Sequence, residues 1–206
     1  NIGTRELSPH DAIVQNKFEF FFVYKLTNHK QHLKINMNFT ISTADEKDID
    51  EIKAINEACL PENYTIAVYQ QLYRSALVAR EKSKGKIVGY LMMANLATLD
   101  SDLEPFSRTY KEKKIHTIIF SLAVLPEYRK KGVGTRLLKI ACDAHKQHPI
   151  ILHARESNLA AQALYNKFGF QILKESPGYY HNPDENGLIM VYLKGKNKAL
   201  TKHLSS

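Results

Sequence analysis

At 206 residues, with 44% apolar and 24% charged residues, the chain has the composition of one compact domain with room for a sizeable core. Its longest apolar runs fall well short of the roughly 20 residues that span a bilayer, and its start lacks the basic–apolar–small pattern of a secretion signal, so no membrane partner and a cytoplasmic location are expected. A formal net charge of +8 favours anionic partners such as nucleotide phosphates, acidic peptides or RNA at a ribosome; with no aromatic-interleaved basic sheet motif, specific nucleic-acid recognition is not expected.

Residues 1–36 match no pattern and are set apart as an N-terminal extension. Within it, residues 18–26 (FEFFFVYKL) are aromatic and β-prone, and read as a strand or an apolar docking segment. Such a segment has to be covered by its own domain or by a second copy, so a homodimer through the extension is one option. Met37 is an alternative start, because a complete domain pattern runs over residues 37–194. Residues 195–206 form a basic tail.

The domain opens with a short strand, residues 39–42 (FTIS). Thr43 or Asp45 caps a helix over 48–59, with Ile49, Ile52, Ile55 and Cys59 on one face, and Pro61 stops it. The loop Leu60-Pro61-Glu62-Asn63-Tyr64 leads to a second helix ending near Tyr73. Residues 76–79 and 87–93 read as a hairpin joined by Lys82-Ser83-Lys84-Gly85. A long polar connection over 95–114 follows; loops of that length are uncommon and often functional. Residues 116–124 form the central strand. A helix to about His145 leads to a strand over 149–154, which is expected to run parallel to the central one. A helix over 158–168 ends at Gly169, and strands over 170–174 and 188–193 flank a loop holding Gly178, Tyr179 and Tyr180. This order predicts an α/β protein of the α+β kind: a mixed, mostly antiparallel sheet of about seven strands with helices on both faces. Cys59 and Cys142 fall in helices without metal-like spacing, so free thiols and no metal are expected.

Residues 122–135 (LAVLPEYRKKGVGT) join strand, loop and helix start. A helix N-terminus offers unpaired N–H groups and the positive end of a dipole, and glycines let those groups approach a ligand. With Arg129, Lys130 and Lys131 beside Gly132, Val133, Gly134 and Thr135, the stretch reads as a pyrophosphate cradle.

Two signatures in order then carry a resemblance. RKKGVGT after FSLAV resembles the acetyl-CoA signature of the GCN5-related N-acetyltransferases, and residues 157–170 (SNLAAQALYNKFGF) resemble that family's second helix motif. LPENY (60–64), GKIVGY (85–90), HARESN (153–158) and PGYY (177–180) are similar to the N-terminal acetyltransferases, in particular the NatA catalytic subunit and its archaeal relatives. The resemblance covers residues 38–194. It implies the GNAT fold with a splayed parallel strand pair, acetyl-CoA as cosubstrate, and transfer to the α-amine of protein or peptide N-termini beginning with Ser, Ala, Thr or Met, with an auxiliary subunit as an option. It also keeps open another amine acceptor, such as a ribosomal-protein terminus, a lysine or a small amine, and a non-catalytic acyl-CoA-binding role.

Under that resemblance the backbone of Leu122, Ala123 and Val124 serves the pantetheine arm and the thioester oxygen, Asn158 binds the arm, and Tyr165 protonates the leaving thiolate. An α-amine with a pKa of ~8 needs only a modest base. Glu62 is the first candidate, His153 the second, and His116 a third, because Ile118 is apolar where relatives often carry His or Tyr. Leu60, Pro61, Tyr64, Tyr179 and Tyr180 wall a groove for the substrate N-terminus.

Overall fold

The computed structural model describes residues 38–96, 116–145 and 149–193. The N-terminal extension with its aromatic run, nearly all of the long connection over 95–114 and the basic tail lie outside the described residues.

The strands are β1 (Phe39–Thr43), β2 (Leu77–Glu81), β3 (Ile87–Leu96), β4 (His116–Val124), β5 (Ile150–Arg155), β6 (Gln171–His181) and β7 (Asp184–Tyr192). The α-helices are α1 (Ile49–Cys59), α2 (Ile66–Leu72), α3 (Val133–Ala144) and α4 (Leu159–Phe168). One seven-stranded sheet has the order β1-β2-β3-β4-β5-β7-β6. Every neighbouring pair is antiparallel except β4–β5, where the connection through α3 forces a crossover.

The helices follow from their apolar spacing. α1 buries Ile49, Ile52 and Ile55 on one face. Ahead of it the chain makes a 3₁₀ turn (Glu46–Asp48) instead of starting the α-helix at Asp48. There the Asp48 carboxylate accepts the Asp45 N–H at 2.8 Å and pairs with Arg80 at 2.5 Å. α3 buries Val133, Leu137, Leu138, Ala141 and Cys142, and α4 adds Tyr165.

These helices cover opposite faces of the sheet. On one, α1 and α2 pack on Val78, Ile87, Tyr90, Met92, Ile118 and Ala123. On the other, α3 and α4 pack on Leu77, Leu91, Ile119, Ile150, Leu152 and Met190. Each fully buried aliphatic side chain contributes about 1.5–3 kcal/mol of transfer free energy, so the two layers dominate stability.

The parallel seam positions the site. β4 and β5 pair only through Thr117–Ile150, Ile118–Ile151 and Ile119–Leu152. Beyond that, β4 continues to Val124 bonded to β3 alone, and β5 continues to Arg155 bonded to β7 alone. The β3–β4 register slips between Met92 and Met93, leaving Phe120 as an extra residue in β4. A bulge bends its strand, so this one turns β4 where the two strands part.

One expectation needs correcting. Tyr179 and Tyr180 sit within strand β6, not in a loop. The Pro177-Gly178 pair reads as a turn, but a register shift between Ser176 and Tyr180 absorbs it, and the strand runs on to His181. The turn proper is at Asn182-Pro183, which a cis peptide joins.

Candidate active site

A cavity of about 400 Å³ occupies the wedge between the parted ends of β4 and β5. Ile118 to Leu122 line one side, and Leu152 to Arg155 the other. Leu60, Pro61, Glu62, Tyr64, Asn158, Tyr165, Tyr179 and Tyr180 also line it, as does Cys59. Residues 120 positions apart in the chain therefore meet in one space.

The cradle residues 129–135 do not line this cavity; they form the turn that follows β4 and the start of α3. Arg129 sends its Nε–H back to the Val124 carbonyl at 3.0 Å, so this guanidinium braces the loop as well as charging it. Lys130 has a φ of 59° and Gly132 a φ of 84°. The left-handed turn at Gly132 points the chain into α3, whose first intrahelical bond is Arg136 N–H to the Gly132 carbonyl at 3.0 Å. The amides of Val133, Gly134 and Thr135 precede it and have no carbonyl one helical turn back to take them. Arg129, Lys130 and Lys131 are exposed around them, with Lys131 Nζ 5.4 Å from the centre of the Tyr128 ring. Unpaired amides, a helix dipole and three cations suit a pyrophosphate. Leu122, Ala123 and Val124 lie along the β4 edge that β5 has left.

On α4, Asn158 is the N-cap, and its Oδ1 accepts the Ala161 N–H at 3.1 Å. Its amide nitrogen is the part left to meet a ligand. Tyr165 is 7% exposed and packs on Phe170. Burial pushes its phenol up to about 12. It therefore holds its proton through the neutral range as a donor.

The opposite wall is built by long-range bonds. In α1, Asn56 is fully buried and donates from Nδ2 to the Glu62 carbonyl at 2.6 Å and the Asn63 Oδ1 at 3.1 Å. The Tyr90 hydroxyl donates to Asn56 Oδ1 at 2.5 Å, which ties the LPENY loop to β3. Tyr64 donates its hydroxyl to the carbonyl of the bulge residue Phe120 at 3.0 Å. Burial first, then the Tyr69 and Glu62 oxygens, raises the Tyr64 phenol far above its ordinary value.

Arg155 is the hub of this wall. Its Nε and Nη2 donate to Glu62 Oε1 at 2.9 and 2.6 Å, and its Nη1 donates to Glu185 Oε2 at 3.0 Å. The same guanidinium donates to the carbonyls of Pro183 and Asn182 at 3.0 and 2.8 Å, and lies 4.3 Å from the Tyr180 ring centre. The Ser157 N–H donates to Glu185 Oε1 at 2.5 Å, and with Arg155 it holds this carboxyl below the usual range. The α1–α2 loop and the β6–β7 turn are thus clamped together across the cavity mouth.

The two first base candidates have different surroundings. Glu62 carries the Arg155 ion pair on Oε1. His153 is half-buried and stacks on Tyr179, with centroids 4.4 Å apart and planes 4° from parallel. His116 lies elsewhere. It is 2% exposed, does not line the cavity, and neither ring nitrogen has a hydrogen-bond partner among the described residues. Burial lowers its pKa to about 4. Cys59 and Cys142 are both free thiols. Among the described residues no three His, Cys, Asp or Glu side chains group as metal ligands, and no helix is long and apolar enough to cross a membrane.

Arg155 lies within HARESN, but nothing in the sequence gives it a role, and nothing there singles out Asn56, Tyr90 or Glu185. Their partners lie 6 to 93 residues away, so no local spacing marks them.

A wedge between two parting parallel strands, a tyrosine-lined mouth and a glycine-bearing helix start directly after β4 together suit an acyl-CoA-dependent transferase. Residues 49–170 match the family described as the Acetyltransferase (GNAT) family. The chain belongs to this family and is an acetyltransferase. It is 32% identical over 164 residues to the N-alpha-acetyltransferase of Saccharolobus solfataricus, covering 74% of this chain and 92% of the relative. It is 33% identical to the N-terminal acetyltransferase A complex catalytic subunit NAA10 of Arabidopsis thaliana, covering 76% of this chain and 79% of that protein. The crystal structure of Ard1 from Thermoplasma volcanium superposes with a TM-score of 0.60 at 26% identity, over 76% of this chain and 97% of the other.

Proposed function

We propose that this chain transfers the acetyl group of acetyl-CoA to the α-amine of protein or peptide N-termini, by direct attack in a ternary complex. The observation that carries the acceptor is the Arg155 clamp. It ties Glu62 in one loop to Glu185, Asn182 and Pro183 in the other turn, across the mouth. A roofed mouth admits a chain end and excludes the middle of a folded chain.

The residues fit the cosubstrate. The amides of residues 132–135 and the exposed Arg129, Lys130 and Lys131 hold the pyrophosphate. The free edge of Leu122 to Val124 and the Asn158 amide hold the pantetheine arm. When bound, acetyl-CoA supplies an activated acetyl thioester.

The chain's own groups do the rest. Tyr64, Tyr179 and Tyr180 orient the peptide backbone, and Leu60, Pro61 and Tyr64 receive the first side chain. A small pocket between them favours Ser, Ala or Thr by size, and only a roomier one would admit Met. His153 takes a proton from the amine, directly or through one water; an amine of pKa ~8 makes this an easy task for an imidazole. Glu62 orients the amine from the wall. Tyr165 keeps a proton at Oη for the departing sulfur. The basic surplus fits work close to a polyanionic ribosome in the cytoplasm.

Incubation with labelled acetyl-CoA and peptides beginning Ser, Ala, Thr or Met, each also carrying an internal lysine, tests this. Label on the α-amine is expected, with Ser and Ala ahead of Met. Label on lysine alone, or only on a small amine, would falsify the acceptor assignment.

A further inference from the structure

We infer that Gly187, a residue outside both signatures, is a positioning residue for the reaction, because it lets Tyr179 lie flat beneath the His153 imidazole. This rests on the reading of His153 as the base.

Gly187 is buried in β7, where it pairs with Arg155 of β5 and Ser176 of β6. His153 pairs with Ile189 two residues along, so Gly187 and His153 belong to the same sheet face. Tyr179 comes from the stretch of β6 that the register shift between Ser176 and Tyr180 leaves out of the ladder. Its side chain crosses β7 at Gly187. A Cβ at that position would lie 3.0 Å from Tyr179 Cβ and 3.1 Å from both Cγ and Cδ1. Such distances are shorter than carbon–carbon van der Waals contact, so alanine at 187 has to displace the ring by a few tenths of an ångström.

Tyr179 has little freedom to yield. One face stacks on His153 at 4.4 Å, nearly parallel, and its edge meets Tyr180 at 4.8 Å and 83°. Tyr180 is in turn pressed by the Arg155 guanidinium. The displacement therefore passes to the imidazole plane, and with it to the direction of the proton-accepting nitrogen. A misplacement of about 1 Å can cost on the order of 100-fold in rate, so a few tenths should cost about tenfold.

Gly187→Ala is tested alone and in a Tyr179→Leu background, by kinetics and by the NMR resonances of the His153 ring, whose carbon-bound protons feel the ring current of the stacked tyrosine. The expected result is a fall in kcat of about tenfold with little change in KM for acetyl-CoA, together with a shift of the His153 resonances. In the Tyr179→Leu background the same change should cost less than about twofold, because no stacked ring remains to carry the displacement to His153. Equal losses in both backgrounds overturn the inference, as do His153 resonances that stay at their wild-type positions in Gly187→Ala. A wild-type kcat in His153→Ala overturns the base reading instead, and the resonances report on the stack whichever way that falls.

Discussion

The cradle and the acceptor wall are made in opposite ways. The cradle is one continuous run, residues 129–135, and acts through backbone amides that a turn and a helix start present by default. The acceptor wall is made of side chains from α1, its following loop, β5 and the β6–β7 hairpin, joined through Arg155. A site for a fixed ligand can be carried by local geometry. A site that selects among many chain ends is assembled from distant parts, each of which can vary separately.

That contrast predicts separable damage. Arg155→Ala is the most severe change expected, since breaking a mostly buried pair leaves Glu62 and Glu185 facing each other without a cation. The kcat/KM for peptide should fall about 100-fold, while the Kd for acetyl-CoA, read by calorimetry, stays within about twofold. A matching loss of acetyl-CoA affinity would show that cradle and wall are one unit.

The scaffold common to cradle and wall is expected to respond to acid through His116. Its pKa is lowered to about 4, so between the ordinary value of 6.5 and about 4 the unfolded state binds the extra proton. The stability from keeping it neutral is full above pH 6.5 and is lost as pH falls towards 4, by about 3 kcal/mol. Denaturant melts across that range should show the loss in the wild type and a flatter profile in His116→Phe. Identical profiles would rule out this histidine as the cause.

The smallest of the three effects is expected at the cradle. Gly132→Ala forces a side chain into a left-handed turn at φ 84°. That costs about 1–2 kcal/mol, which should appear as roughly tenfold weaker acetyl-CoA binding with an unchanged peptide preference. A changed preference among peptide N-termini would place selectivity at the cradle as well.

The same contrast governs what could be read from the chain. The cradle and the α4 signature are contiguous, and strand–loop–helix spacing marks both. The element order, the parallel seam and the free thiols also follow from local pattern. Arg155 does not, because its significance lies in a carboxylate 93 residues away. Tyr179 and Tyr180 read as loop residues beside Gly178, and local pattern does not report that pairing with β7 resumes at Tyr180. Gly187 is silent for the same reason: nothing around it marks the ring that will cross it.

The seam between β4 and β5 has a mechanical side. It holds three rungs, against eight between β3 and β4. The sheet is two stiff plates, β1–β4 and β5–β7, riveted at one end and open at the other. Load applied across it should concentrate on those three rungs, and whatever fills the open end lengthens the joint. An occupied wedge should thus be harder to pull apart than an empty one, and the chain's resistance to force should depend on its cosubstrate supply.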